Sequence, residues 1–368
     1  MTKLKVALLY GGQSGEHEIS LRSARNVFNE LVSANFEVLP IGMDKSGLLF
    51  LNSESVLKVA QGKPLEVKTK DAKPLPSLIQ DGKFIVDCDV VFPVVHGPLY
   101  EDGALQGVLE LADVAYVGCD VVSSAVGMDK DIARRLAVIE GVQNIRYHRL
   151  PHTSSPEQDK TWCKSVAEDL DFPLFVKPCK MGSSVGVARV DNMNELLAAV
   201  NNARKYDLTV LVEAFIDGRE IELGVLEHDG LEGLPDVTIP GEITTTHTDG
   251  FYSYSAKYVE CDTTDILVPA ELDDATIRRL QVASAEIFMR LHCVGLARID
   301  FFLENNTNTI YFNEVNTIPG FTSVSMFPML WEASGVSLKA LLERLIQLAV
   351  KRHQCKQALV RDFTKSVS

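Results

Sequence analysis

Asp300, Glu314 and Asn316 are the residues of this chain best suited by type and spacing to hold a divalent metal ion. Two carboxylates and one amide offer hard oxygen donors, the kind taken by Mg²⁺ and Mn²⁺, ions that keep positions open for water and substrate phosphate. The runs Arg298 to Leu303 and Thr309 to Val315 are rich in Ile, Phe, Tyr and Val and flank a polar turn, which is the pattern of a β-hairpin. Strand side chains alternate between faces, so a hairpin that pairs even with even positions gathers Arg298, Asp300, Glu314 and Asn316 on one side. A solvated edge hairpin whose acidic residues face water is the alternative. Other segments must decide between them.

A second constellation is Phe175-Val176-Lys177-Pro178 followed by Cys179-Lys180-Met181-Gly182-Ser183-Ser184-Val185-Gly186-Val187. Small residues let backbone N–H groups approach an anion, hydroxyls add donors, and Lys177 supplies a point charge for phosphate. The segment is neither a Walker A loop nor a Gly-x-Gly-x-x-Gly fingerprint. A plain hairpin turn would explain its glycines but not a lysine leaving a hydrophobic strand. Downstream, Leu211 to Phe215 ends an apolar strand, and Glu213 and Glu220 could serve the exocyclic amine and the ribose of an adenine nucleotide held in an apolar slot. Near the start, Tyr10 to Ser20 carries Gly11, Gly12 and Gly15 before a helix, where Glu16 suits a cationic substrate group. His96-Gly97, at the exit of another strand, gives a second polar tip.

The elements that position these groups follow from periodicity. Val6 to Tyr10, a helix over Ser20 to Val32 and a strand over Glu37 to Ile41 form a βαβ opening. Residues from Asp44 to Asp87 read as hairpins and loops, and Val90 to Val95 resumes the sheet. A helix-like run spans Met128 to Glu140, and Gln143 to Trp162 reads as a domain boundary. Strands near Phe175 and Leu211 with a helix over Met193 to Ala203 make a second block. From Glu220 a mixed region runs to an amphipathic helix over Ser337 to Arg352, and Gln354 to Ser368 reads as a loosely attached tail. The implied domains are 1–127, 128–219 and 220–353, with the tail at 354–368.

Composition limits the classes of partner. At 368 residues the chain suggests two or three domains, and 46% hydrophobic with 23% charged residues is ordinary for a globular protein. A net charge of −14 argues against a nucleic-acid surface. No apolar run reaches the length of a membrane span, and Met1 to Tyr10 enters a strand directly, so a cytoplasmic protein without a membrane partner is expected. The seven cysteines form no Cys-x-x-Cys pair, which points to reduced thiols rather than a disulfide framework or zinc site.

In combination these pieces resemble the ATP-grasp superfamily and, within it, the D-alanine:D-alanine ligase family. The resemblance runs from Lys5 to about Ala349. It is carried by residues 11 to 20, His96-Gly97 with Glu101-Asp102-Gly103, Met128-Asp129-Lys130, the Lys177 to Gly186 segment, Ala256-Lys257-Tyr258, Arg298-Ile299-Asp300 and Asn313 to Ser325. It implies an α/β chain with mixed α+β elements, in which a Rossmann-like N-terminal domain precedes two ATP-grasp subdomains with ATP between them. Lys130, Phe175, Lys177, Ser183, Ser184, Glu213, Ala214, Phe215 and Glu220 would contact ATP, joined by Lys257, Phe302, Asn313 and Glu314. Asp300, Glu314 and Asn316 would bind two Mg²⁺ or Mn²⁺ ions.

The implied reaction joins two D-alanines into D-alanyl-D-alanine for peptidoglycan precursors, through a D-alanyl phosphate. Glu16 would hold the ammonium of the first D-alanine, with His96 nearby. Arg298 and the Gly320 N–H would stabilise the oxyanion, and Ser325, beside Met326, would bind the second carboxylate. Ser183 and Tyr258 would link to Glu16 to close a lid over Thr244 to Thr263. A homodimer is also implied. Tyr100 departs from the family, which usually has glycine there, so an altered turn is expected. A ligase taking D-lactate or D-serine second would share nearly every motif, and Tyr258 favours D-alanine.

Overall fold

The computed structural model describes residues 3–58, 65–70, 72–150, 155–245 and 264–360. Its first sheet has six strands. Lys5–Gly11 pairs in parallel with Glu37–Met43 on one side and Val90–Pro93 on the other, and Ala115–Tyr116 extends the parallel edge. Leu49–Leu51 and Lys73–Leu75 add antiparallel strands, and Ile79–Gln80 with Lys83–Phe84 makes a separate hairpin, as the turn-rich sequence suggests. Lys5–Gly11 reads as a continuous apolar run because both its faces are covered. Val6, Leu8 and Tyr10 face the helix His17–Ser33, whereas Ala7 and Leu9 share a core with Leu105 and Leu109 of the helix Ala104–Leu111.

The final helix, Leu338–Gln357, returns to this first sheet. Its Leu341, Leu342, Leu345 and Ile346 are buried with Val6, Leu8, Val27 and Leu31, so the amphipathic stripe completes the N-terminal core. The helix also runs further than its periodicity suggests. Residues 354–357, expected in a loose tail, are helical, and Lys356 pairs with Glu110 while Gln357 donates to Asp113 at 2.5 Å.

A four-stranded antiparallel sheet follows in the order Tyr147–Leu150, Val210–Ala214, Leu174–Pro178 and Ala188–Val190. Helices Pro156–Leu170 and Met193–Ala203 bury Cys163, Val166, Leu196 and Val200 against Leu174, Val176 and Val212. The expected helix over Met128 to Glu140 is instead two, Val121–Met128 and Lys130–Leu136. Asp129 breaks the run by adopting an extended ψ of 98° and capping the second helix, its carboxylate accepting from Ile132 N at 3.1 Å.

Among the described residues the third sheet has seven strands, built on Gly218–Leu226, Leu296–Glu304 and Ile310–Asn316, with Gly241–Thr245 and Thr264–Leu267 on one flank. Val142–Asn144 joins its other flank in parallel with Ile310–Asn316. The segment expected as a boundary therefore supplies a strand to the third sheet and another, Tyr147–Leu150, to the second.

Candidate active site

The hairpin pairs as its alternation requires. Arg298 lies opposite Asn316 and Asp300 opposite Glu314, so the even positions share a face. Beyond Asp300 the register shifts at a bulge and Phe301 lies opposite Phe312, which leaves Asn313 as the extra residue. On the other side, Glu222 of Gly218–Leu226 lies opposite Asp300. Arg298 ties these groups together. Its Nε and Nη2 donate to the two oxygens of Asp300, each at 2.8 Å, and Nε lies 2.9 Å from Glu222 Oε2. Asn316 Nδ2 also donates to Asp300 Oδ2 at 2.8 Å. Burial disfavours the Arg298 cation, but Asp300 and Glu222 outweigh it and push its pKa well above the ordinary arginine value.

Two lysines face this hairpin from the second sheet and its approach. Lys130 Nζ lies 3.0 Å from Glu314 Oε2 and donates to Met181 O at 2.8 Å. Lys177 Nζ lies 2.6 Å from Glu213 Oε2. Burial lowers the Lys177 pKa, with repulsion from Arg134 adding to it and Glu213 opposing it. In the glycine-serine loop between them, Ser183 and Ser184 have φ of 52° and 56°. Non-glycine residues adopt that left-handed backbone at a cost of about 1 kcal/mol or more each, a strain that clusters at ligand-holding loops.

Ser183 Oγ donates to Glu16, at the start of His17–Ser33, and so links the loop after the second sheet's Leu174–Pro178 to the helix on the first sheet. Glu101 stands beside Glu16 and accepts from Gly97 N at 2.8 Å. Burial, reinforced by the negative charge of Glu16, pushes the Glu101 carboxyl up to about 8. His96 is buried and burial lowers its pKa; its Nδ1 meets Ile318 O at 3.0 Å, and Nε2 has no hydrogen-bond partner among the described residues. The Ile318 carbonyl fixes the tautomer with hydrogen on Nδ1 and leaves Nε2 as an acceptor.

Tyr100 explains how the first turn tolerates its departure from glycine. The left-handed residue is Leu99, with φ of 74°, and Tyr100 is buried. Its hydroxyl accepts from Gln13 N at 3.0 Å and donates to Met43 Sδ at 3.0 Å. Gly12 packs on the ring so closely that a Cβ there would lie 2.9 Å from it. Tyr100→Phe removes the acceptor for Gln13 N–H and is expected to destabilise the protein by about 1 kcal/mol. Urea denaturation measures this, and an unchanged midpoint would contradict it.

Other expected residues fall as follows. Phe175 stacks with Phe215 at 6.1 Å and Arg189 lies 5.2 Å over Phe215, forming an aromatic wall at one end of the site. Glu220 and Phe302 lie opposite each other on adjacent strands. Ala214 is the last residue of the strand Val210–Ala214, and its N donates to Arg146 O at 2.9 Å. Glu213 is buried and already held by Lys177 and by Arg134, whose Nη1 donates to it at 2.6 Å. Ser325 caps the approach to Met326–Ala333, and its Oγ accepts from Thr322 N at 3.0 Å. A Cβ on Gly320 would lie 2.8 Å from that Oγ, so the backbone comes close here because no side chain intervenes. The Met326 side chain is buried with Ile243 and Leu330. Lys257 and Tyr258, with most of the expected lid, lie outside the described residues.

Arg134 and Glu222 are the charged residues at this site that the sequence reading did not single out. Arg134 follows Lys130 by four residues and so shares its helix face. Glu222 follows Glu220 by two and so shares its strand face. Both signals were present in the spacing.

A phosphate-type loop facing an acidic hairpin across two sheets, with an N-terminal α/β domain presenting a carboxylate to the loop, defines an ATP-grasp enzyme. The family described as "D-ala D-ala ligase N-terminus" matches residues 5–119 and "D-ala D-ala ligase C-terminus" matches 136–347. The chain belongs to the D-alanine–D-alanine ligase family. It is 52% identical over 360 residues to a D-alanine–D-alanine ligase of Legionella pneumophila strain Corby, covering 98% of this chain and 99% of that one. A D-alanine–D-alanine ligase A of Bradyrhizobium diazoefficiens is 43% identical, with 98% and 99% covered. Among solved structures, the D-alanine-D-alanine ligase from Coxiella burnetii superposes with a TM-score of 0.84 at 36% identity, all of both chains being covered. The VanG D-Ala:D-Ser ligase from Enterococcus faecalis superposes at 0.81 and 35% identity, covering 95% of this chain and 100% of that one.

Proposed function

We propose that this enzyme joins two D-alanines into D-alanyl-D-alanine, coupled to ATP cleavage, to supply peptidoglycan precursors in the cytoplasm. The observation that carries the reading is the meeting, at one place, of Glu16 with Ser183, of Lys130 with Glu314, and of Arg298 with Asp300. Glu16 holds the ammonium of the first D-alanine, and the neutral His96 Nε2 accepts beside it. Lys130, Lys177 and the amides around Ser183 and Ser184 grip the ATP phosphates, while Phe175, Phe215, Glu220 and Phe302 border the base and ribose. The carboxylate of the first D-alanine attacks the γ-phosphoryl group, giving an acyl phosphate and ADP. The amine of the second then displaces phosphate, while Arg298 and the Gly320 N–H stabilise the oxyanion and Ser325 holds the second carboxylate. Ser183 donates to Glu16 and so ties the phosphate-side loop to the turn that holds the first D-alanine.

The hairpin residues fit a divalent ion. Asp300 and Glu314 offer hard carboxylate oxygens and Asn316 an amide, on paired strand positions, and Glu314 already pairs with one positive group, the Lys130 ammonium. Two Mg²⁺ or Mn²⁺ ions held by these three residues would neutralise charge on the transferring phosphoryl group. A homodimer completes the reading.

Phosphate release from ATP tests the function. D-alanine should support turnover, and L-alanine alone should not. Dipeptide should dominate over D-alanyl-D-serine and D-alanyl-D-lactate when the acceptors compete. A product mixture led by D-serine or D-lactate would reverse the choice of second substrate.

The raised Glu101 carboxyl has a pH signature. Between about pH 4.5, where an unfolded glutamate titrates, and about 8, the folded protein keeps a proton that the unfolded chain has lost. Stability of the substrate-free and metal-free protein should therefore fall as pH rises through this window, and Glu101→Gln should flatten the slope. Thermal unfolding from pH 5 to 9 measures it, and parallel curves for the two proteins would contradict the assignment.

A further inference from the structure

We propose that Arg134 is a positioning residue that sets the Glu213–Lys177 pair and fastens the acidic hairpin to the second sheet, so that the two walls of the nucleotide site keep one spacing. The proposal rests on the reading that ATP lies between those walls.

Arg134 is fully buried on the helix Lys130–Leu136, in the same face as Lys130. Its guanidinium reaches in two directions. Nη1 donates to Glu213 Oε1 at 2.6 Å on the strand Val210–Ala214, and the other carboxylate oxygen of Glu213 lies 2.6 Å from Lys177 Nζ. Nε and Nη2 donate to Asn313 O at 3.2 and 3.1 Å, and Nη2 also meets Asn313 Oδ1 at 3.4 Å. Asn313 is the bulged residue of the hairpin, next to Glu314. A bulge leaves a residue outside the strand ladder, and Arg134 supplies partners for both its backbone carbonyl and its amide oxygen. The Tyr147 ring lies 5.4 Å from the guanidinium carbon, and Asn144 Nδ2 donates to Arg134 O at 2.8 Å, which hold the side chain and its backbone in place.

The geometry requires the planar fork. A lysine at this position carries the charge but presents one ammonium, which cannot span Glu213 and Asn313 at once. Without the fork Glu213 is held from one side only, and Lys177 loses the fixed partner that aims it. Burial makes both charges expensive to leave unpaired, so the arrangement is strongly defined while it is complete. Arg134 touches no reacting atom in this scheme.

The test uses the full chain as wild type, Arg134→Lys and Arg134→Met. Titration with a non-hydrolysable ATP analogue is read beside steady-state phosphate release. In Arg134→Lys the Kd for the analogue and the KM for ATP should each rise by roughly tenfold or more, in line with disruption of a buried charged pair. The KM for D-alanine should stay within about twofold, because the D-alanine groups hang on Glu16 and Arg298 rather than on Glu213. Arg134→Met should show a larger split. Arg134→Lys retains the buried charge and carries the test where Arg134→Met fails to accumulate folded protein. Unchanged ATP parameters in Arg134→Lys, or equal rises in the KM of both substrates, would overturn the proposal while leaving the enzyme's function standing. A wild-type protein that fails to bind the analogue would overturn both.

Discussion

Glu314→Gln is expected to abolish nearly all ligation, lowering kcat by roughly 10³-fold, while the protein folds as before. The substitution preserves shape and removes one negative charge. Glu314 lies opposite Asp300 on the hairpin and its Oε2 is 3.0 Å from Lys130. Its side chain is 21% exposed, so the amide is readily solvated and no buried charge is stranded in the core. An amide oxygen can still approach a cation but lacks the negative charge that would hold the metal ions whose positive charge would balance the transferring phosphoryl group. Phosphate release at saturating Mg²⁺ and D-alanine, with melting curves of both proteins, gives the measurement. A near-parental rate would remove Glu314 from the reaction.

Arg298→Lys should produce a fall in kcat of about 10²-fold or more together with a visible loss of stability. Arg298 is paired with both oxygens of Asp300 and with Glu222, and the two carboxylates are almost completely buried. One ammonium cannot satisfy three oxygens in a plane, so at least one carboxylate is left without its partner, at a cost of roughly 3 kcal/mol. The kinetic and stability effects separate under excess divalent ion, which supplies positive charge to Asp300 but restores no donor for the oxyanion. Unfolding should therefore recover in part with added Mg²⁺ while kcat does not. Recovery of both together would show that Arg298 acts only through the fold.

The hairpin was legible because strand alternation is a strict rule. Once the two apolar runs are recognised and even positions are paired with even, Arg298, Asp300, Glu314 and Asn316 share a face, though what that face meets had to be read from other segments. The Lys177 loop and the Glu16 turn stood out because their glycines, hydroxyls and charges suit a charged ligand, and the structure brings the two segments together through Ser183 and Glu16. Arg134 was not, because its role depends on partners 79 and 179 residues away that no local pattern connects. The bulge at Asn313 was hidden by the even spacing on its other side. Tyr100 was legible as a departure, but its answer, a left-handed Leu99 and a hydroxyl bound to Gln13, required the packing of Gly12 and Met43. The helix Leu338–Gln357 announced a buried stripe without naming its partner. Periodicity gives the width of an apolar face and nothing about which surface receives it.

That last helix bears on how the chain is made. The first sheet and the helix His17–Ser33 leave the ribosome early, but the face they present to Leu341, Leu345 and Ile346 stays uncovered until the far end of the chain emerges. With translation at about 5–20 residues per second, the more than two hundred residues between Tyr116 and Leu338 impose a delay of roughly ten to forty seconds. Throughout that interval the nascent N-terminal layer carries an open apolar surface, the condition that recruits chaperones and invites aggregation. The helix Leu338–Gln357 thus seals late what the chain built first.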